Sequence, residues 1–161
     1  MSAATATAEP QAQRVLVLGY GNRGRQDDGL GPAAADAISA LGWPGVTTWE
    51  NDQLTLEDTI EVAAHDVVFF VDAAREGPAP FAMERLAPAM TIAFTSHLLA
   101  PETLLAITQQ QFGATPDAYL LAIRGHAFDF QEGLTPQATG NLQLALGALR
   151  ARIAGAIKEA A

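Results

Sequence analysis

The sequence predicts an α/β protein: a three-layer sandwich with a mostly parallel five-stranded sheet and helices on both faces. Three observations point there. Short runs of β-branched residues and leucine alternate along the chain with longer stretches of helical periodicity, the pattern of a parallel sheet covered by helices. The run DVVFFV (66–71) is apolar throughout, with no alternation, as a strand buried on both faces must be. Proline and glycine fall where helices start and stop rather than inside the apolar runs.

The first strand is expected over Arg14–Leu18, where the run RVLVL ends at a glycine turn. Leu30–Leu41 carries Leu30, Ala34, Ile38 and Leu41 at helical spacing, with Pro32 in the first turn and Gly42 as the stop. GVTTWE (45–50) is a second strand, followed by a helix over Leu54–Ala64 and the buried strand Asp66–Val71. After a turn at Gly77, Pro78 and Pro80, FAMERL (81–86) alternates apolar and polar, which suits a half-buried edge strand. Its gap from DVVFFV is too short for a helical crossover, so it should run antiparallel to that strand. Pro101–Gln111 is a helix closed by Gly113, and AYLLAI (118–123) is a further buried strand. Thr135 as N-cap and Pro136 at the first helical position open the last helix, which puts Leu142, Leu146, Leu149 and Ile153 on one face. Residues 14–161 are expected to form a single domain. The small, polar residues 1–13 are expected to be a disordered tail.

Composition narrows the function. The chain has 161 residues, 49% hydrophobic and 17% charged, an ordinary globular balance with enough length for one sizeable core. Nine basic against 18 acidic residues give a net charge of −9. No basic stripe is visible, so a nucleic-acid partner is not expected. No apolar run approaches the ~20 residues that span a bilayer, and MSAATATAEPQAQ lacks the basic and apolar regions of a secretory signal. With no cysteine, disulfides, thiolate metal sites and cysteine nucleophiles are excluded. A cytoplasmic monomer without membrane insertion is the expectation.

Open α/β sheets bind ligands outside the carboxyl ends of their strands. Asn22, Asp27 and Asp28 follow the first strand, Glu50 and Asp52 the second, and Asp72 the buried strand. Ser96 and His97 follow FAMERL and the loop MTIAFTSH, while Arg124, His126 and Asp129 follow AYLLAI. Asp72 stands out, because a carboxylate at the end of a fully apolar strand is poorly solvated unless it is paired, protonated or metal-bound. Asp28, Asp72 and His97 are the candidate catalytic and metal-ligating set; two carboxylates and one imidazole suit zinc, nickel, iron or manganese. Asp28 and Asp72 as an acid/base pair is the alternative. His65 lies at the amino end of the buried strand and is expected to be structural. Ser96 beside His97 makes no nucleophile, since neighbours in an extended loop point apart and no G-x-S-x-G elbow is present.

The stretch GYGNRGRQDDGLG (19–31) also carries Gly19, Gly21 and Gly24 at the G-x-G-x-x-G spacing of dinucleotide-binding folds. That motif requires a helix to begin within it, facing a pyrophosphate. Here the helix is expected only near Leu30, and Asp27 and Asp28 stand where the phosphate would. A dinucleotide-binding oxidoreductase is therefore the alternative reading, with a metal-facing carboxylate preferred and Asp27 bracing the loop.

Four motifs in order resemble the hydrogenase maturation proteases: VLVLGYGNRGRQDDGLGP, VVFFVDA, TSHLLAPETLLAI and IRGHAFDFQEGLTPQA. The resemblance covers about residues 14 to 155. It implies an endopeptidase that removes the C-terminal extension of a nickel–iron hydrogenase large-subunit precursor after nickel insertion. By the family pattern Asp28, Asp72 and His97 are the metal-contacting residues, the same three selected above. They would probe nickel already held by the substrate, so no organic cofactor is implied, and the precursor is the expected partner. A first-loop glutamate is common in the family, and the shorter Asp28 stands here. Glu50 or Asp52 matches a further family acid. Asn22, Glu50, Asp52 and His126 are the candidates for substrate contacts. DDGLGP and EGLTP resemble the branch that serves soluble, cytoplasmic hydrogenases. A non-catalytic assembly chaperone docking on the same precursor is a further alternative.

Overall fold

A computed structural model describes residues 12–90 and 99–158. Five strands form one sheet: β1 (Val15–Tyr20), β2 (Val46–Asn51), β3 (Val67–Ala74), β4 (Phe81–Leu86) and β5 (Asp117–Arg124). Their spatial order is β2-β1-β3-β5-β4. The β1–β2, β1–β3 and β3–β5 pairs are parallel, and β4 lies antiparallel against β5. Four helices cover the sheet: α1 (Leu30–Ser39), α2 (Asp58–Ala63), α3 (Pro101–Phe112) and α4 (Pro136–Lys158).

Strand periodicity sorts the core into two layers. Val15 and Val17 of β1, with Val67, Phe69 and Val71 of β3, pack on α1 and α4. The intervening Leu16 and Leu18, with Val68 and Phe70, pack on α2 and α3. This is why the strands carry apolar residues at consecutive positions: each face meets a helical layer. On α4, Leu142, Leu146, Leu149 and Ile153 are all buried, as their spacing predicts. Pro101 opens α3, and Gly113 closes it at φ 66°, a left-handed conformation that glycine adopts without steric cost.

The expected architecture is present, with four local differences. β1 runs two residues beyond the expected Leu18, and β3 runs three beyond Val71, so Asp72 lies inside a strand rather than after it. β4 is an antiparallel edge strand, but β5 lies between it and β3. AYLLAI is apolar on both faces and takes the interior position, whereas half-polar FAMERL takes the edge. The second helix is shorter than Leu54–Ala64, because the Asp58 carboxylate accepts the Thr55 N–H at 2.8 Å and the Asn51 side-chain amide at 2.8 Å, which holds residues 54–57 in a turn. The tail expected over 1–13 lies outside the described residues up to residue 11, as do residues 91–98, with His97 among them, and 159–161.

Candidate active site

The loop after β1 folds back against the strand it leaves. A Cβ on Gly19 would overlap the Gly31 carbonyl, and one on Gly21, whose φ is 143°, would overlap the Asp28 carbonyl. The glycine spacing thus serves close packing of the start of α1 against β1, and backbone fills the space beside both glycines. A 3-10 turn over Gln26–Gly29 precedes α1, which begins at Leu30 as expected.

That turn directs its two acids differently. Asp27 is fully buried. Its Oδ2 accepts the N–H groups of His126 (2.7 Å) and Ala127 (3.1 Å) and the Thr135 hydroxyl (2.8 Å); Oδ1 accepts the Thr135 N–H (2.7 Å). Burial alone would raise its pKa, but these bonds favour the charged form and hold the carboxyl below its ordinary range. Asp27 therefore braces the loop against residues 126–135. Asp28 accepts the Asn22 N–H at 2.7 Å, and the Asn22 side chain accepts the Gly24 N–H at 2.8 Å, which fixes the carboxylate in the loop.

Asp28 and Asp72 line one cleft of about 460 Å³, with Tyr20, Asn22, Arg25, Asp52, Arg75, Leu99 and Phe128 also on its walls. The parallel register explains the convergence. Gly19 of β1 is opposite Val71 of β3, so one step further Tyr20 stands beside Asp72, on the α2/α3 face. Burial pushes the Asp72 carboxyl up to about 7, and the nearby Asp28 charge adds to the rise. The Ala73 N–H, 2.8 Å from Asp72 Oδ1, and the Tyr20 hydroxyl both oppose it. Tyr20 is itself pushed far up by burial and by Asp72.

The other sequence candidates separate. Asp52 and Asn22 reach the cleft. Glu50 pairs with Arg23, which also meets Asp36 at 2.8 Å, and lines a neighbouring groove with Asn22 and Asp52. His126 lies outside the cleft wall; its backbone N–H serves Asp27, and its ring nitrogen lies 3.4 Å from the Asn141 side-chain nitrogen. His65, with Nδ1 2.6 Å from the Glu61 carbonyl, is structural. His97 and Ser96 lie outside the described residues. Among the described residues no group of three His, Cys, Asp or Glu side chains is placed to hold a metal ion, so the two carboxylates are the part of the expected ligand set seen together.

Sequence reasoning did not find Tyr20, Arg25, Arg75 or Phe128. Tyr20 was hidden by ending the first strand at Leu18. One signal was present: continuing the i, i+2 alternation from Leu16 and Leu18 puts Tyr20 on the same face. Arg25, Arg75 and Phe128 come from three separate loops, and no local pattern joins them.

No family model matches the chain, and no curated protein matches its sequence. Solved structures do. The chain is similar to a [NiFe] hydrogenase maturation protease, HycI, from Thermococcus kodakarensis KOD1, at 24% identity over 88% of this chain and 92% of that one, with a TM-score of 0.71. It is similar to the hydrogenase maturating endopeptidase HybD from E. coli, at 20% identity over 88% and 93%, with a TM-score of 0.73. An endopeptidase from Escherichia coli aligns at 20% identity over 91% and 93%, with a TM-score of 0.69. What these likenesses establish is the fold: the chain shares, over nearly its whole length, the α/β sandwich of these three proteins.

Proposed function

We propose that the chain is a hydrogenase maturation endopeptidase that removes the C-terminal extension of a nickel–iron hydrogenase large-subunit precursor once nickel has been inserted. One observation carries the reading: Asp28, from the turn after β1, and Asp72, near the carboxyl end of the adjacent parallel β3, converge on one cleft, with Asp72 half-buried and its carboxyl pushed up to about 7. The four ordered motifs and the shared fold support it.

A carboxyl poised near neutrality suits a site that meets its cation only when the substrate arrives. In the free protein Asp72 shares its time between the protonated and ionised forms at neutral pH, which lessens the cost of holding a charge there. An approaching cation favours the ionised form, so Asp72 releases the proton and becomes an oxygen donor beside Asp28. His97 is the proposed third contact. Two carboxylates and an imidazole bind free metal weakly, yet they can complete the coordination of a nickel held by the substrate. The precursor's nickel would polarise the scissile carbonyl. The chain's own residues orient the site: Asn22 positions Asp28, and Tyr20 positions Asp72.

The test is to incubate the protein with nickel-loaded and nickel-free precursor and to follow the large-subunit mass. Shortening of the loaded form alone is expected. Equal cleavage of both would overturn nickel recognition, and cleavage of neither would overturn the protease reading. Asp28→Ala and Asp72→Ala should abolish shortening of the loaded form.

A further inference from the structure

On a chain of net charge −9, three of the nine cationic side chains form ion pairs among the described residues. Arg14 pairs with Asp66, Arg23 with Asp36 and Glu50, and Arg85 with Asp117. Of the six others, two stand on the cleft wall. Arg25 and Arg75 have no ion pair among the described residues, and each lies over an aromatic ring instead. The Arg25 guanidinium is 4.6 Å from the centre of Phe130, and that of Arg75 is 4.1 Å from the centre of Phe128. Among the described residues the Arg25 side chain makes one long hydrogen bond, to the Phe128 carbonyl at 3.4 Å, and its buried Nε has no partner there. Phe130 is 85% exposed, so the ring under Arg25 is open to solvent.

These groups are held in place before any ligand arrives. The segment bearing Phe128 and Phe130 is clamped to the loop bearing Arg25: Asp27 takes three bonds from His126, Ala127 and the Thr135 N–H, the Gln26 N–H bonds the Gln131 carbonyl at 2.7 Å, and the Gln26 side chain accepts the Asp129 N–H at 3.1 Å. Stacking fixes the plane of a guanidinium and leaves its edge donors free, the arrangement that suits a planar carboxylate. The cleft wall therefore carries both signs of charge, with carboxylates at Asp28, Asp52 and Asp72 and guanidiniums at Arg25 and Arg75.

We infer that Arg25 and Arg75 form an anion subsite that binds a carboxylate on the peptide segment lying in the cleft. This rests on the proposed endopeptidase reading, in which that segment belongs to the removed extension. The carboxylate is either an acidic side chain or the peptide's free carboxyl terminus.

Nuclear magnetic resonance of the arginine Nε–H groups tests the subsite without cleavage. Three short acetylated peptides serve as probes: Gly-Ser-Gly with a free terminus, amidated Gly-Glu-Gly, and amidated Gly-Ser-Gly as the neutral control. Shifts of the Arg25 and Arg75 signals with one or both carboxylate peptides, but not with the neutral one, are expected, and the peptide that acts names the source. Equal shifts with all three, or none with any, would overturn the subsite whatever the cleavage assay returns. With nickel-loaded precursor, Arg75→Gln, a change at an exposed position, should raise KM about fivefold, the upper range for one exposed ion pair, and more than it lowers kcat. Arg75→Lys should restore part of that rise. An unaltered KM in both Arg75→Gln and Arg25→Gln would also overturn it. Failure of the wild type to cleave would count against the protease reading alone.

Discussion

Replacing Asp27 by Asn changes one oxygen to an NH2 group in a site where every partner is a donor. With the remaining oxygen at the Oδ2 position, the bonds from His126, Ala127 and the Thr135 hydroxyl persist, but the new NH2 faces the Thr135 N–H. One bond is lost and leaves a buried N–H unsatisfied, at about 1–3 kcal/mol, and the other three fall from charge-assisted to neutral strength. Relief of the buried charge offsets part of this, so a loss of about 2–4 kcal/mol is expected, against a typical total of about 5–15. Urea unfolding at pH 7 measures it as a fall in midpoint at constant slope. The pH dependence identifies the cause. The folded carboxyl lies below the unfolded value of about 3.9. Its stabilisation is thus fully present above pH ~4 and is lost as pH falls through the folded pKa, because the unfolded state binds its proton first. The gap between wild type and Asp27→Asn should be full at pH 7 and shrink below pH ~3. A gap under about 1 kcal/mol at pH 7, or one as large at acid pH, would refute the bracing role.

Three further outcomes are expected. Asp72→Asn should lower precursor processing about a hundredfold or more while stabilising the fold. The Asp72 carboxyl sits at about 7 when folded and near 4 when unfolded, so wild-type stability falls as pH rises between those values, by up to about 4 kcal/mol at ~1.4 per pKa unit; the variant's advantage should be larger at pH 8 than at pH 5 in denaturant titrations, and equal advantages would argue against a buried proton. Gly31→Ala places a Cβ against the backbone carbonyls of Tyr20 and Val71; a loss of about 3 kcal/mol or more is expected, read as a lower melting temperature, and a neutral result would contradict the tight seating of α1 on β1. Millimolar NAD or NADP should leave the melting temperature unchanged, because backbone occupies the space beside Gly19 and Gly21; a rise would revive the dinucleotide reading.

The sequence made the fold legible because each element announces itself locally. DVVFFV has no polar face to expose, Pro101 and Gly113 bracket α3, and the i, i+4 leucines mark the buried stripe of α4. What local pattern does not carry is which strand neighbours which, so the position of β5 between β3 and β4 was missed even though the direction of β4 was not. The site divides in the same way. Asp28 and Asp72 were found because the carboxyl ends of parallel strands share one edge of a sheet, whatever the strand order. FAMERL is the exception to that rule: being antiparallel, it ends at Leu86 on the opposite edge, and among the described residues after it Leu99 lines the cleft. The residues around the two acids depend on contacts between loops. Arg25 meets Phe128 and Phe130 only because Asp27 ties two segments about a hundred residues apart. The acidic pair DD is thus one sequence feature with two tasks: the first carboxylate joins the walls of the cleft, and the second faces into it. A buried acid with four donors has no capacity left for a metal, whereas its neighbour, which among the described residues accepts one bond, from the Asn22 N–H, keeps its other lone pairs for a ligand.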